Sequence, residues 1–260
     1  MTATVPPCPE LAAPPHWRTV DFLSDLHLQA SEPATWAAFR HYLRNTPADA
    51  VMLLGDVFEV WVGDDALQEP GSFEGEVANA LHQASQQRAL FLLHGNRDFL
   101  IGPTFAQYTG VQLLADPTVL VWHDQRILLS HGDALCLDDV DYQRFRLRAR
   151  SPAWQSRFLA QPLSARRQQA QGIRAESEAR KRSGEVYADL DTSATLQWLK
   201  AADAATLVHG HTHKPACHML DDHGRRRWVL SDWDAAAHPP RGDVIRLTTQ
   251  GLERIPVVPT

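Results

Sequence analysis

Short apolar runs recur along this chain, each closed by glycine, aspartate, asparagine or histidine. Residues 19–23, 50–54 and 89–93 are nearly continuous apolar stretches of strand length, the pattern of strands buried on both faces. Between them Trp36, Phe39 and Leu43, then Val77, Ala80, Leu81 and Ala84, recur at helical spacing. Strand, helix, strand, helix, strand predicts right-handed crossovers and a largely parallel sheet. Runs at 118–122 and 126–129, joined across His123 to Gln125, predict a hairpin. From 139 to 189 strand signals stop. Tyr142, Phe145 and Leu147, then Trp154, Phe158 and Leu159, interrupted by Pro152 and Pro162, predict short helices forming an insertion. A helix near 195–201 and a strand around Val208 return the chain to the sheet, and 227–230, 243–247 and 252–257 are expected as terminal, antiparallel strands. The Pro-rich residues 1–16 are expected to be a disordered leader, without the basic-then-apolar order of a signal peptide.

Composition narrows the class. The 260 residues are 44% hydrophobic and 22% charged, ordinary for a soluble globular protein. No apolar run reaches the roughly 18 residues of a membrane span, and with no signal-peptide pattern the protein is expected in the cytosol. Three cysteines, Cys8, Cys136 and Cys217, without CxxC spacing, argue against a disulfide framework and a thiolate zinc site. The net charge of −6 hides an island. Between Asp141 and Gly184 eleven Arg and Lys face three acidic residues, so this segment carries +8 and the remainder −14.

The candidate chemistry stands where the strands end. Residues 19–23 run into Asp25 and His27, 50–54 into Gly55 and Asp56, 89–93 into Gly95, Asn96 and Arg97, and 126–129 into His131. After Val208, Gly210 is expected to allow a tight turn that brings His211 and His213 together. Neighbouring parallel strands would gather Asp25, Asp56 and Asn96 at the carboxyl edge of the sheet. Seven oxygen and nitrogen donors, Asp25, His27, Asp56, Asn96, His131, His211 and His213, exceed what one ion takes once water and substrate are added. Two metals sharing a bridging carboxylate suit them better. Without sulfur the set suits Mn, Mg, Fe or Zn.

This order of motifs, DxH, GD, GN, H and GHTH, resembles the calcineurin-like metallophosphoesterase superfamily from about Thr19 to Pro215. The resemblance implies an α/β sandwich of two sheets flanked by helices, with the helical insertion as a lid. It implies two divalent ions per subunit: one on Asp25, His27 and His213, the other on Asn96, His131 and His211, and Asp56 between them. It places catalysis at Asp56, Asn96, His131 and His211, with water activated by the metals; Arg97, which departs from the superfamily pattern, joins them on its own chemistry. The text between the ligands, GDVFEVWVGDD, HGNRDFLIG and HGDALCLDD, is similar to the UDP-2,3-diacylglucosamine pyrophosphatase family of lipid A synthesis. That narrower resemblance implies manganese, an acylated UDP-sugar substrate cleaved to UMP and a lipid 1-phosphate, and peripheral attachment to the cytoplasmic face of the inner membrane. It further implies substrate contacts at Asn96, Arg97, Asp139, Ser177, Lys181 and His211.

Two features bear on substrate. Arg97 occupies a position where many superfamily members carry a His able to protonate an alcohol leaving group. A guanidinium cannot give up a proton at working pH, whereas a phosphate leaving group, with a second pKa of about 6, needs none. Arg97 therefore favours cleavage of P–O–P, its fork clamping phosphate oxygens. The insertion joins the basic island to Trp154, Phe158, Leu159 and Leu163, which either line an acyl chamber or pack the helices together. Blander roles suit the other polar groups: Asp64, Asp65, Asp98 and Asp133 orient ligands or cap turns, His209 supports the ligands, and Cys136 packs. The alternatives are a phosphodiesterase or nucleotide pyrophosphatase of this fold acting on a soluble substrate, and a nucleic-acid-binding module with structural metals. Walker, dinucleotide and serine-hydrolase signatures are absent.

Overall fold

The computed structural model describes residues 5–182 and 188–258, apart from the side chains of 174–182. Its first sheet grows from β2 (Val20–Leu23), β3 (Ala50–Leu54), β4 (Ala89–Leu93) and β5 (Gln112–Leu114), all parallel neighbours. On the other side of β2 lie β11 (Asp243–Thr248) and β12 (Gly251–Pro256), both antiparallel pairings. A second sheet runs β1 (Glu10–Ala12), β6 (Thr118–Trp122), β7 (Gln125–Ser130), β8 (Thr206–His209), β10 (Arg226–Val229), β9 (Ala216–Met219).

The two faces of β3 explain the layering. Val51 and Leu53 pack outward with Phe39 and Leu43 of α1 (Pro33–Asn45), Val77 and Leu81 of α2 (Phe73–Ser85), and Phe105 of α3 (Pro103–Thr109). Met52 and Leu54 point the other way, into a core shared with Leu120, Trp122, Leu129 and Val208 of the second sheet. On that sheet's far face Leu128 and Leu207 meet Trp198 and Leu199 of α7 (Thr192–Ala201). The result is a helix, sheet, sheet, helix sandwich, and both faces of the inner strands are apolar because both are covered. Each such aliphatic side chain contributes about 1.5–3 kcal/mol by leaving water.

Several expectations need correction. Residues 1–16 are not a leader throughout: Glu10–Ala12 pairs in parallel with β6, in register from Glu10 on Val119 to Ala12 on Val121. Its Pro-rich flanks conceal the strand, which is only three residues long and lies at an edge where Pro is tolerated. The terminal strands are not all antiparallel, because β10 runs parallel to β8 and only β9 opposes it. Helix α3 and strand β5 lie in a stretch where no element was expected. The 7-residue α3 starts on Pro103 and stops at Gly110, left-handed at φ 76°, so its boundary signals were present but its apolar face was short.

The segment from 139 onward forms α4 (Val140–Ala149), α5 (Pro152–Leu159) and α6 (Leu163–Arg182). Pro152 does not interrupt a helix but begins one, just after the Ser151 cap whose Oγ accepts from the Trp154 N–H. Several cations of the basic island are paired with acids from outside it. Arg146 and Arg150 approach Asp133, Arg167 reaches Glu69 and Glu74, and Arg166, 2% exposed, is paired with Asp65.

Candidate metal centre

Adjacent parallel strands bring the first three motifs to one sheet edge. Asp25 follows β2, Asp56 follows β3 and Asn96 follows β4, and the backbone keeps the pairing past the strands: the Asp25 N–H donates to the Gly55 carbonyl at 3.1 Å and the His27 N–H to the Asp56 carbonyl at 3.0 Å. The second sheet contributes His131 beyond β7, and His211 and His213 beyond β8, where the Gly210 N–H donates to the His131 carbonyl at 2.9 Å.

These turns are strained. Seven non-glycine residues have positive φ among the described residues, and five are expected ligands: Asp25 at 53°, His27 at 47°, Asp56 at 53°, His211 at 68° and His213 at 53°. Left-handed backbone at a residue with a Cβ costs on the order of 1–3 kcal/mol and collects at functional sites. Gly210 serves differently from expectation. It has no positive φ; a Cβ there would collide with Ser24 Oγ and Asp25 Oδ2, so glycine allows close approach rather than a special turn.

The side chains converge. His213 Nε2 lies 3.3 Å from Asp25 Oδ1 and 3.3 Å from His27 Nε2, which is itself 4.0 Å from both Asp25 and Asp56. On the other side of Asp56, His131 Nε2 is 3.7 Å from Oδ1 and 3.0 Å from Asn96 Oδ1, and His211 Nδ1 is 2.8 Å from the same Asn96 oxygen. Asp25, His27 and His213 present one donor atom each within a mutual 4.8 Å, and so do Asp25, Asp56 and His131. All seven expected ligands are thus in one place.

Charge follows from this geometry. Burial raises the carboxyl of Asp56 despite His131 and His27. Burial also works against Asp25, yet His213, His131 and His27 hold its carboxyl well below the usual range. His131 loses hydration but faces Asp56 and Asp25, and is pushed up to about 9, whereas His211, buried beside His131, falls to about 3. Two buried carboxylates ringed by imidazoles, with lone pairs aimed inward and no sulfur, fit divalent cations.

The surrounding groups mostly do what was expected. Asp98 accepts from the N–H groups of Val57 at 2.7 Å and Gly95 at 2.8 Å, and Asp64 from those of Gly102 and Phe105 at 2.9 Å each. Cys136 is buried, its thiol raised far above the usual range by burial, which suits packing. Arg97 is mostly enclosed and its Nη1 stands 3.7 Å from Glu59 Oε1. Asp139 caps α4 by accepting from the Tyr142 N–H at 3.0 Å. The side chains of Ser177 and Lys181 lie outside the described residues.

Glu59 and the ties from the α4 segment to Asp133 and Gly95 were not anticipated from the sequence. Glu59 Oε2 is 2.8 Å from His27 Nδ1. Asp133 accepts from Tyr142 Oη, whose ring lies 5.9 Å from that of His211, and from Arg146 Nε at 2.8 Å. Arg150 donates to the Gly95 carbonyl at 2.8 Å. Helix α4 and the Arg150 that caps its C-terminus are therefore tied to the site through Tyr142, Arg146 and Arg150, spaced four apart. That spacing is a helical signal that could have been read. Trp154, Phe158 and Leu163 turn to the core, with Trp154 stacked on Phe158 at 4.8 Å, and Leu159 alone of the four stays exposed.

The profile of the calcineurin-like phosphoesterase family matches residues 18–215. The chain belongs to this family. Among curated proteins, the UDP-2,3-diacylglucosamine hydrolase of Chromobacterium violaceum is 40% identical over 247 residues, covering 92% of this chain and 98% of the relative. That of Ralstonia nicotianae is 43% identical over 251 residues, with 92% of each chain covered. A solved Vps29 from Cryptosporidium parvum superposes with a TM-score of 0.47 at 16% identity, over 92% of this chain and 91% of the other. The two-sheet sandwich described above is the architecture expected from the resemblance to this family.

Proposed function

We propose that this chain hydrolyses UDP-2,3-diacylglucosamine at its pyrophosphate bond, releasing UMP and 2,3-diacylglucosamine 1-phosphate. The observation that carries the reading is the meeting of Asp56 with six further N and O donors, in a chain whose relatives of near-full length bear that hydrolase name. Two divalent ions, with manganese the preferred identity, would supply activation of water and charge to offset the phosphoryl oxygens.

The protein's own groups then divide the work. Asp25, His27 and His213 would hold one ion, Asn96, His131 and His211 the other, and Asp56 would stand between. Asp98 fixes the turn before Asn96 through Gly95 and the turn after Asp56 through Val57. Arg97 offers its guanidinium fork to phosphate oxygens, while the departing lipid phosphate needs no proton. Asp139, at the start of α4, Ser177 and Lys181 are proposed to contact the substrate.

Peripheral attachment to the inner membrane's cytoplasmic face belongs to the same reading. No helix among the described residues is long and apolar enough to cross a membrane. Leu147, Leu159 and Ile173 are exposed on the three helices of 139–182, with Arg144, Arg148 and Arg157 on their open faces, a mixture that suits an anionic lipid surface.

The test is incubation of the purified chain with UDP-2,3-diacylglucosamine and Mn, identifying both products. UMP with the lipid phosphate is expected. UDP with free sugar would overturn the reading, and undiminished turnover of a deacylated substrate would favour a soluble one.

A further inference from the structure

Beyond the end of β3 the chain does not leave β2. Leu28 and Phe58 form a parallel bridge, and the Glu59 N–H donates to the Leu28 carbonyl at 3.2 Å. This extension places Glu59 beside His27 although the two belong to different motifs. One carboxylate oxygen, Oε2, lies 2.8 Å from His27 Nδ1; the other, Oε1, lies 3.7 Å from Arg97 Nη1. Glu59 is itself buried, so its charge is little screened at either contact.

From this geometry we infer that Glu59 is a positioning residue serving two groups at once, fixing His27 toward the cation and Arg97 toward the substrate phosphate. The inference rests on the metal and phosphate roles proposed above and concerns how they are joined. A carboxylate 2.8 Å from Nδ1 favours the proton on that nitrogen and leaves the Nε2 lone pair to a cation, and a turn of the ring would break the contact. His27 Nε2 is the atom facing Asp25, Asp56 and His213. Arg97 has its main chain tied into the same frame: its N–H donates to Asp56 Oδ1 at 2.8 Å and its carbonyl accepts from the Trp61 N–H at 3.0 Å. With the backbone fixed, the remaining freedom lies in the long side chain, and the second oxygen of Glu59 restrains it. A single carboxylate divided this way makes the cation site and the phosphate site parts of one arrangement.

The two halves respond differently to substitution. In Glu59→Gln the amide oxygen can still accept from His27 Nδ1, but its NH2 then faces the Arg97 guanidinium and cannot pair with it. Glu59→Ala removes both partners.

The test uses the full chain, stripped of metal and titrated with Mn2+ by calorimetry, then titrated with UMP at saturating Mn2+. For Glu59→Ala one Mn2+ equivalent is expected to bind about 10–100-fold more weakly, the range for lost carboxylate partners of metal-binding histidines. For Glu59→Gln most of that Mn2+ affinity is expected to return, while UMP binds at least about 5-fold more weakly than to wild type, a loss of about 1 kcal/mol. Mn2+ affinities in Glu59→Ala within two-fold of wild type, or UMP affinity in Glu59→Gln equal to wild type, would overturn the inference while leaving the metal centre standing. If Glu59→Ala does not fold, Glu59→Gln decides alone by the same UMP criterion. Wild-type protein that takes up no Mn2+ would instead defeat the metal reading, and this inference with it.

Discussion

His27 Nε2 and His213 Nε2 face one another at 3.3 Å, although 186 positions separate them in the sequence. Glu59 stands at the far nitrogen of His27, and Asp25 and Asp56 flank the inner nitrogens of the two rings. A cation between the rings would take both of those nitrogens as ligands. Chelation should therefore lower the melting temperature, and Mn2+ at about 100 times its Kd should restore about 2.7 kcal/mol, or about 5–10 °C for a chain of this size. His213→Ala should lose most of that shift in a thermal melt. A full Mn2+ shift in the variant would mean that no ion is held there.

Arg97 bears on the bond that is cut. The substitution Arg97→His replaces a permanent bidentate cation with a ring that is mostly neutral at pH 8. Turnover of the diphosphate substrate should fall by about ten-fold or more, the cost of a lost charge-assisted hydrogen bond worth about 1.5–3 kcal/mol. Steady-state release of UMP measures it. Equal kcat/KM for the two proteins would remove Arg97 from the reaction.

Much of the site was legible because parallel strands place their ends side by side, so motifs after β2, β3 and β4 had to meet once the sheet was inferred. The left-handed backbone at Asp25 and Asp56 was not legible, since aspartate tolerates that region without announcing it. Glu59 was hidden for another reason. Its partner His27 is reached only because Leu28 and Phe58 prolong the pairing beyond the strands, and hydrophobic periodicity carries no information about such an extension. The strand Glu10–Ala12 was obscured by prolines that its edge position makes harmless. The basic island misled for a third reason: composition counts cations but not their partners, and Asp133, Asp65 and Glu69 lie outside or at the margin of the segment they neutralise.

Arg166 latches α6 to the loop after β3. It is almost fully enclosed, donates to the Val62 carbonyl and to Asp65 Oδ1, the latter at 2.9 Å, and its Nε donates to the Gln161 carbonyl at 3.0 Å. Arg166→Met should cost about 1–3 kcal/mol, since a buried carbonyl loses its donor. Asp65→Asn should cost less, because Asp65 is half exposed and water can replace what it loses. Urea titration of both variants checks the ranking. Amide exchange should rise locally near 62–66 and 161–166 in Arg166→Met, and a uniform rise over all elements would mean that no latch exists.

His209 gives the fold a pH dependence of definite sign. The ring is fully buried at the end of β8, with Nδ1 2.8 Å from the Gly210 carbonyl. Burial, aided by Arg227 and opposed by the Gly210 carbonyl, Asp189 and Asp25, lowers it to about 4, against about 6.5 in the unfolded chain. Below about 6.5 the unfolded chain takes up a proton that the native protein refuses. The stability owed to neutral His209 is whole above that pH and is lost progressively as pH falls toward about 4, at roughly 1.4 kcal/mol per unit. Urea midpoints of chelated wild type and His209→Gln between pH 7.5 and 4.5 isolate this contribution, since the other histidines are common to both. The wild-type stability should fall more steeply, and the difference between the two proteins should narrow with acidification. Parallel curves would show that His209 takes its proton while still folded.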